Sequence, residues 1–367
     1  MLGEKYDVPP LRGWFPPVDS AELTLNNWLS GTYQNQQEDF TKNNLKIRPY
    51  AIRVNSQIHY DALGEIRRTI IEGKDEYLFE TRYIHSLQGL DFVGTDKIQM
   101  QVEKLAKVSA HLKKENDVDV IVTIALDKAQ FFKEKLPAQY NLENTDSTNY
   151  ETYLEYFFQH NIHVLDFNKH FLQIKDSSEH ALATKHGIHW SLYGGLTATD
   201  SIIGYIQKLK GKEVTRIDKS KILKTTEVRK EDDDIGQSIN LYYPLVSDTF
   251  SYYEHYLFAE KKSYRPNVNL IGDSFCWTIW GQDIPHHYFG DQTKFLYYYH
   301  EIWDTQWSPL SGTKLNDEQK LKFAQEADVI ILLYTPMNMN DFGSGFIDDM
   351  YELLFEEGGE KREERIE

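Results

Sequence analysis

Apolar residues along the chain follow two spacings, one typical of strands and one of helices. The clearest strand pattern is Val-Asp-Val-Ile-Val-Thr-Ile-Ala at 118–125, a run rich in β-branched residues. Further strands are predicted at 162–166, 268–271 and 328–333, and helices at 95–108, 150–158, 191–209 and 316–326. Thr95 and Asp96 are expected to cap the helix at 95–108, and Gly211 is expected to end the helix at 191–209. Strands alternating with helices predict an α/β fold with a parallel sheet covered by helices.

Other segments depart from this alternation. The first ~20 residues contain many prolines and glycines, so we expect an arm that is not helical. Apolar positions between Ser30 and Leu63 predict amphipathic helices interrupted near Pro49. Short β-like pieces at 239–245 and 252–258 suggest a β-rich insertion. The predicted chain has three parts: an N-terminal arm (1–30), a main domain (31–340) with an insertion (212–266), and a C-terminal helix with a charged tail (341–367).

Charge and composition exclude several classes of function. Lys and Arg number 40 against 57 Asp and Glu, a formal net charge of −17. Binding to nucleic acid or to anionic lipid needs a basic surface, so neither partner is expected. The single cysteine, Cys276, excludes an internal disulfide framework and a CxxC metal or redox site. The sequence contains no 18-residue apolar stretch and no pattern typical of a signal peptide, so we expect neither a membrane span nor an export signal in it.

A serine directly follows the predicted strand at 268–271, in the sequence Gly272-Asp273-Ser274-Phe275. In open α/β sheets, ligands bind beyond the carboxyl ends of the strands. Gly272 permits a tight turn, and N–H groups at the start of the next helix are suited to an oxyanion. The alternative is a turn in which Ser274 only caps a helix.

A nucleophilic serine needs a base, which is usually histidine. His189 lies in a loop that leads into the predicted helix at 191–209, and glycines flank it at positions 187, 194 and 195. Such a loop can hold an imidazole over the same crevice. The alternative is a histidine that packs in the core or caps the helix.

Taken together, these motifs resemble the periplasmic alginate O-acetyltransferase family. Its members are SGNH-hydrolase-like proteins in which a His-Trp motif precedes the Gly-Asp-Ser motif, the order of His189-Trp190 and Ser274 here. Blocks at 73–79, 127–132 and 328–332 agree, and the similarity extends from about Leu29 to Asn340. The resemblance implies an SGNH-hydrolase-like, flavodoxin-like sheet with Ser274 as nucleophile and His189 as base. It also suggests the residues nearest the oxyanion or substrate: Gly272, Phe275, Trp190 and Asn338.

The chain departs from the family at the third member of the triad. The family motif reads Asp-x-His-Trp, but Gly187 stands at the Asp position. Three arrangements remain open. A carboxylate from elsewhere, first of all Asp166 at the end of a predicted strand, orients His189. A backbone carbonyl or His186 does so instead. Or the site has decayed and the protein only binds.

Other candidates have ordinary structural explanations beside the functional ones. Cys276 is either a rival nucleophile or a small buried residue. His286 and His287 with Asp283 and Asp291 are ligand types without a known metal spacing, so we predict no metal. Aromatic residues either stack on sugar rings or pack in the core; they are Phe295, Tyr297, Tyr298, Tyr299, Trp303 and Trp307.

The resemblance implies a serine-dependent O-acetyltransferase or acetylesterase that modifies an exported or cell-surface polysaccharide through an acyl-serine intermediate. It implies a periplasmic or extracytoplasmic location and a membrane-bound O-acyltransferase partner, and we expect no cofactor. Two other hypotheses remain: a non-catalytic carbohydrate-binding or assembly protein of the same fold, and a plain secreted esterase without acceptor preference.

Overall fold

The computed structural model describes residues 10–13, 18–66, 69–140, 147–246, 248–257, 262–305 and 312–356. Parts of the predicted arm and tail (1–9, 14–17 and 357–367), together with Phe258 and Trp307, lie outside these residues. The strands are β1 (Ile70–Glu72), β2 (Leu78–Glu80), β3 (Asp119–Ile124), β4 (His163–Asp166), β5 (Ile222–Thr225), β6 (Phe250–Tyr253), β7 (Val268–Gly272), β8 (Lys294–Tyr297), β9 (Glu301–Asp304) and β10 (Val329–Tyr334). The helices are α1 (Leu25–Leu29), α2 (Thr32–Asn44), α3 (Arg48–Ile58), α4 (Thr81–Leu87), α5 (Thr95–Asn116), α6 (Lys128–Phe131), α7 (Asn149–Gln159), α8 (Phe167–Ile174), α9 (Leu192–Lys210), α10 (Asp234–Ser238), α11 (Cys276–Trp280), α12 (Ile284–Tyr288), α13 (Asp317–Gln325) and α14 (Phe346–Phe355).

A six-stranded sheet forms the centre of the fold, in the order β4-β3-β10-β7-β8-β9. Every pair is parallel except β8 and β9, which are antiparallel. All residues of β3, β7 and β10 are buried. Strands covered on both faces read as continuous apolar runs, which is why the sequence pattern located them. The predicted α/β fold with a helix-covered parallel sheet is confirmed.

Helices pack on both faces of this sheet because alternate strand residues point to opposite sides. On one face, Val120 and Val122 of β3 belong to the same apolar cluster as Val102 and Leu105 of α5. On the other face, Ile121 belongs to a cluster that contains residues of α8, α9 and α11. The spacing of apolar residues in α5 predicted this helix, although its N-cap is Gly94 and not the predicted Thr95.

Two helices, α2 and α3, form between Ser30 and Leu63 as predicted, and the break between them at 45–47 lies next to Pro49. Pro49 itself is in the first turn of α3, where its missing N–H costs nothing. One prediction outside the sheet needs correction. No strand forms at 239–245. The helix α10 ends at Ser238, and Asn240, the second residue of the segment, has a positive φ of 51°. The insertion does contain an antiparallel pair, β5 with β6.

Close packing at the end of β7 positions the segment that carries Ser274. A Cβ on Gly272 would lie 2.0 Å from the carbonyl oxygen of Leu333 in β10 and 2.7 Å from the sulfur of Cys276. Only glycine therefore fits here. The main chain after β7 consequently turns immediately against β10, at the edge where the parallel strands end. Within the described residues, no helix has the length and apolarity needed to cross a bilayer.

Candidate active site

Three side chains form a hydrogen-bonded series at the carboxyl edge of the sheet. The hydroxyl of Ser274 lies 2.9 Å from Nε2 of His189, and Nδ1 of His189 lies 2.8 Å from Oδ2 of Asp234. A carboxylate only accepts hydrogen bonds, so Nδ1 carries the proton and Nε2 is left to accept from the serine. This is the geometry of a nucleophile, its general base and the acid that orients the base.

Ser274 is held by the fully buried carboxylate of Asp273, the residue before it. One oxygen of Asp273 accepts from the backbone N–H of Phe275 at 3.0 Å. The other accepts from the backbone N–H and the hydroxyl of Thr335 and from the side-chain amide of Asn338, at 2.7, 2.9 and 2.9 Å. The turn after β7 is therefore joined to the segment after β10, which fixes the position of the serine.

His189 is held by aromatic packing and by the backbone of its loop. The ring of Phe275 lies 4.7 Å from the imidazole ring and 5.3 Å from the ring of Trp190, measured between centroids. Beneath the loop, the buried ammonium of Lys128 donates hydrogen bonds to the carbonyl oxygens of Lys185, at 2.9 Å, and Gly187. These contacts leave the imidazole little freedom to turn away from Ser274.

Asp234, the first residue of α10 in the insertion, orients both His189 and its loop. While Oδ2 accepts from the imidazole, Oδ1 accepts from the backbone N–H groups of Ile188 and Ile235, each at 2.8 Å. Asp232 accepts from the backbone N–H of Leu192 at 2.8 Å. The aspartates at 232–234, where α10 begins, thus bind the loop that carries His189 (the histidine loop, residues 185–191) and the first residue of α9. They also supply the carboxylate absent from position 187.

Asp166 does not orient His189, so this prediction is corrected. Asp166 ends the edge strand β4, which lies three strands from β7, a separation of roughly 14 Å at the usual strand spacing. Its oxygens accept from the backbone N–H of Lys169 at 2.9 Å and from the hydroxyl of Tyr150 at 2.8 Å. Burial raises the pKa of Asp166. Its role is to cap α8.

His186 does not orient His189 either. Its ring nitrogens make no hydrogen bond to any described residue, and Nδ1 lies 3.6 Å from Oδ1 of Asp233. The backbone carbonyl of Gly187, which stands at the position of the family's acid, accepts a hydrogen bond from Lys128. Of the open arrangements, the structure contains the one with a carboxylate from elsewhere, although at a position that the sequence analysis did not consider.

The residues expected near an oxyanion have other roles. Gly272 is needed for close packing, and the N–H of Phe275 is bonded to Asp273. The side-chain amide of Asn338 also donates to Asp273, and its oxygen accepts from Arg82 at 3.1 Å. Trp190 is buried in the core. Among the described residues, the backbone N–H of Ser274 donates no hydrogen bond and is the group available to an oxyanion.

The remaining candidates pack or form ordinary contacts. Burial raises the pKa of Cys276 well above its usual range, so its thiol is not a rival nucleophile. His287 pairs with Asp283 at 3.2 Å, and in the described part of the chain no three His, Cys, Asp or Glu side chains are grouped to hold a metal. Phe295 is buried, and Trp303 packs against Trp277 with ring centroids 5.2 Å apart.

A carboxyl group that interacts electrostatically with His189 and Asp234 also escaped the sequence analysis. Glu80 ends β2. Burial raises the pKa of its carboxyl; the positive charge of Arg82 lowers this pKa by a smaller amount, and the negative charge of Asp234 raises it further. Asp234 itself has a weak signal in the sequence, since three consecutive aspartates at 232–234 precede an apolar residue. Such a run is usually interpreted as a solvated surface, and here it is partly buried against the histidine loop.

Lys128 gives a prediction about the pH dependence of stability. Burial lowers its pKa from 10.5 to about 7, partly offset by Asp234 and Asp233. At a pH between these two pKa values, the amine of Lys128 is protonated in the unfolded chain and neutral in the folded chain. Stability therefore rises with pH across this window, by up to about 1.4 kcal/mol per pH unit. In Lys128→Met this contribution should vanish.

The measurement is the free energy of unfolding in urea from pH 7 to 9.5. The matched control is Lys133→Met, which removes an exposed lysine nearby and should keep the slope of the wild type. Equal slopes in all three proteins would show that Lys128 titrates normally.

The chain is similar to a known protein family and to several solved structures. The sequence pattern of the family described as "SGNH hydrolase-like domain, acetyltransferase AlgX" matches residues 70–282, more than half of the chain. Among solved structures, PatB1 of Bacillus cereus is similar with 13% identity and a TM-score of 0.48, over 77% of this chain and 99% of that one. The O-acetyltransferase domain of Pseudomonas putida AlgJ has 13% identity and a TM-score of 0.44, over 77% and 98%.

Pseudomonas aeruginosa AlgX is similar with 14% identity and a TM-score of 0.42, over 76% of this chain and 67% of that one. No curated protein matches the sequence. The match over residues 70–282 contains both His189 and Ser274 and confirms the resemblance found in the sequence. The chain belongs to the SGNH hydrolase-like acetyltransferase family of AlgX.

Proposed function

We propose that this protein transfers acetyl groups to hydroxyl groups of a polysaccharide through an acetyl-serine intermediate at Ser274. The observation that carries the proposal is the continuous series Ser274–His189–Asp234, with distances of 2.9 and 2.8 Å. Two further features support it: the free backbone N–H of Ser274, and the partial exposure of the serine at the crevice. A protein that only binds its ligand has no need of this series.

In the first half of the reaction, the hydroxyl oxygen of Ser274 attacks the carbonyl carbon of an acetyl donor while Nε2 of His189 takes its proton. Asp234 stabilises the imidazolium, and the N–H of Ser274 donates to the oxyanion. The tetrahedral intermediate collapses, the bond to the donor breaks, and His189 returns the proton to the leaving group.

In the second half, a sugar hydroxyl attacks the acetyl-serine as His189 takes the hydroxyl proton. Breaking of the ester bond leaves the acetylated sugar, and Ser274 regains its proton from His189. Water in place of the sugar would yield acetate, so the same residues perform esterase chemistry when water enters the site. We propose an extracytoplasmic location and a membrane-bound O-acyltransferase that supplies the acetyl donor.

The experiment is labelling by a fluorophosphonate, which reacts with activated serines, followed by intact-mass measurement. We expect one label per chain in the wild type and none in Ser274→Ala. The matched control is Cys276→Ala, which removes the buried thiol two residues after Ser274 and should be labelled like the wild type. Absence of a label in the wild type would contradict the proposal and favour the binding protein.

A second measurement separates the transferase from the plain esterase. The wild type is incubated with p-nitrophenyl acetate, with and without soluble oligosaccharides, and acetate and acetylated sugar are both measured. Acetylated sugar in the presence of an oligosaccharide is expected. Acetate alone, at the same rate with and without sugar, would show an esterase.

A further inference from the structure

A cavity of about 290 Å³ lies beside the histidine loop. It is close to the lower end of the size range of small-molecule sites, roughly 300 Å³. Its wall includes residues 180–186, which lead directly into the segment that carries His189, but neither His189 nor Ser274 lines it. At most ~3.6 Å per residue, the three residues from His186 to His189 span no more than about 11 Å. The cavity is therefore a neighbour of the proposed active site and distinct from it.

Aromatic rings form one wall of the cavity. They are contributed by Tyr77, Phe131, Phe132 and Phe250. The ring of Phe132 packs edge to face against the rings of both Tyr77 and Phe131, with centroids 4.8 Å apart in each pair. Tyr77 is half-buried, so part of its ring remains accessible from the cavity. Apolar ring surface of this kind suits the C–H face of a sugar ring.

His186 also lines the cavity and is 1% exposed. Its Nδ1 lies 3.6 Å from Oδ1 of Asp233, and both ring nitrogens are enclosed by protein. The imidazole is therefore part of the wall of the cavity and does not offer a hydrogen bond to a ligand.

The charges around the cavity restrict the ligand. Four carboxylates line it (Asp176, Glu179, Asp232 and Asp248) against two lysines. Both lysines are paired, Lys175 with Glu134 at 2.8 Å and Lys185 with Glu76 at 2.9 Å. One carboxylate is paired as well, Glu179 with Lys224 at 3.2 Å, which leaves three carboxylates against no unpaired lysine. The chain as a whole carries a formal charge of −17. A ligand with one carboxylate per sugar is therefore repelled, whereas hydroxyl groups can donate to the carboxylates.

We infer that this cavity binds an uncharged sugar unit of the acceptor polysaccharide while a neighbouring unit reaches Ser274. The inference rests on the proposed function and names its acceptor as a neutral polysaccharide, not a polyuronate. Tyr77 contacts the bound sugar, and the carboxylates at the rim, of which Asp248 is one, accept from its hydroxyls.

The experiment is calorimetric titration of the full chain with three hexasaccharides, the uncharged cellohexaose and chitohexaose and the anionic hexamannuronate. At least one uncharged hexamer should bind at least tenfold more tightly than hexamannuronate. Tyr77→Ala should weaken that binding at least tenfold, and Tyr77→Phe should restore most of it. The matched control is Tyr243→Ala, which removes a tyrosine that is 69% exposed outside the cavity and should change nothing.

Asp248→Lys reverses one exposed charge at the rim and leaves the core untouched. This change should lower the ratio of the dissociation constants of the anionic and neutral hexamers at least threefold. Equal binding of all three hexamers, no binding of either neutral one, or full binding by Tyr77→Ala would each overturn the inference. Fluorophosphonate labelling of the same variants should stay at the wild-type level. Loss of labelling in the wild type itself would instead count against the proposed function, because sugar binding at the cavity does not need Ser274.

Discussion

Asp234→Asn should lower the turnover of p-nitrophenyl acetate about 10⁴-fold, the size of the loss that removal of the orienting acid causes in serine proteases. The carboxylate accepts from Nδ1 of His189 at 2.8 Å and so keeps Nε2 free to accept from Ser274. An amide nitrogen at the same place donates, which favours the tautomer with the proton on Nε2. The base then cannot take the proton of the serine, and the imidazolium loses its counter-charge.

The matched control for this prediction is Asp166→Asn. Asp166 is also a partly buried aspartate near the carboxyl edge of the sheet, but it caps α8 and contacts Tyr150. Asn caps a helix about as well as Asp, so this change should lower stability by less than about 1 kcal/mol and leave turnover within about twofold of the wild type. The measurement is steady-state hydrolysis together with the rate of fluorophosphonate labelling. Full activity in Asp234→Asn, or a large loss in Asp166→Asn, would show that the acid has been assigned to the wrong residue.

Asp273→Ala should reduce the free energy of unfolding by about 3–5 kcal/mol, because it leaves several buried donors without an acceptor. The carboxylate is 0% exposed and accepts from the N–H of Phe275, from Thr335 and from Asn338. The contact with Phe275 lies within the turn after β7, and the contacts with Thr335 and Asn338 join this turn to the segment after β10. Without them the two segments separate, and the position of Ser274 relative to His189 is lost with them.

Urea unfolding followed by tryptophan fluorescence measures this effect, with Asp291→Ala as the control. Asp291 is also an aspartate of the segment between β7 and β8, but its side chain is 75% exposed and pairs with Arg265 at 3.3 Å. Exposed pairs of this kind contribute about 0–1 kcal/mol, so the control should unfold almost like the wild type. Similar stabilities of the two variants would mean that Asp273 does not hold the turn.

Local pattern was sufficient for four strands of the sheet (β3, β4, β7 and β10) and for its main helices, but it did not predict β8 and β9. β3, β7 and β10 are buried on both faces, so each appears in the sequence as a run of apolar residues whatever the strand order. The pattern was least informative in the insertion. There, 239–245 alternates like a strand but follows α10 through a residue with positive φ, and its contacts with distant segments decide its path.

For the proposed active site, the sequence by itself determined Ser274 and His189, because each lies in a motif whose neighbours have local physical reasons. Gly272 is needed for the close approach to β10, Asp273 for the turn, and Trp190 for packing against Phe275. These requirements act within a few residues of the functional side chain, so they leave a readable pattern in the chain.

Only the tertiary structure decided which acid orients the histidine. Asp234 lies 45 residues after His189, in an insertion whose sequence contains no motif that names a partner. A carboxylate needs to be near the imidazole in space and not in sequence, because hydrogen bonding and charge depend on distance alone. The fold brings the aspartates at 232–234 against the histidine loop and leaves Asp166 three strands away from the serine. The strand order and the path of the insertion, which no local pattern specifies, therefore determined the third member of the site.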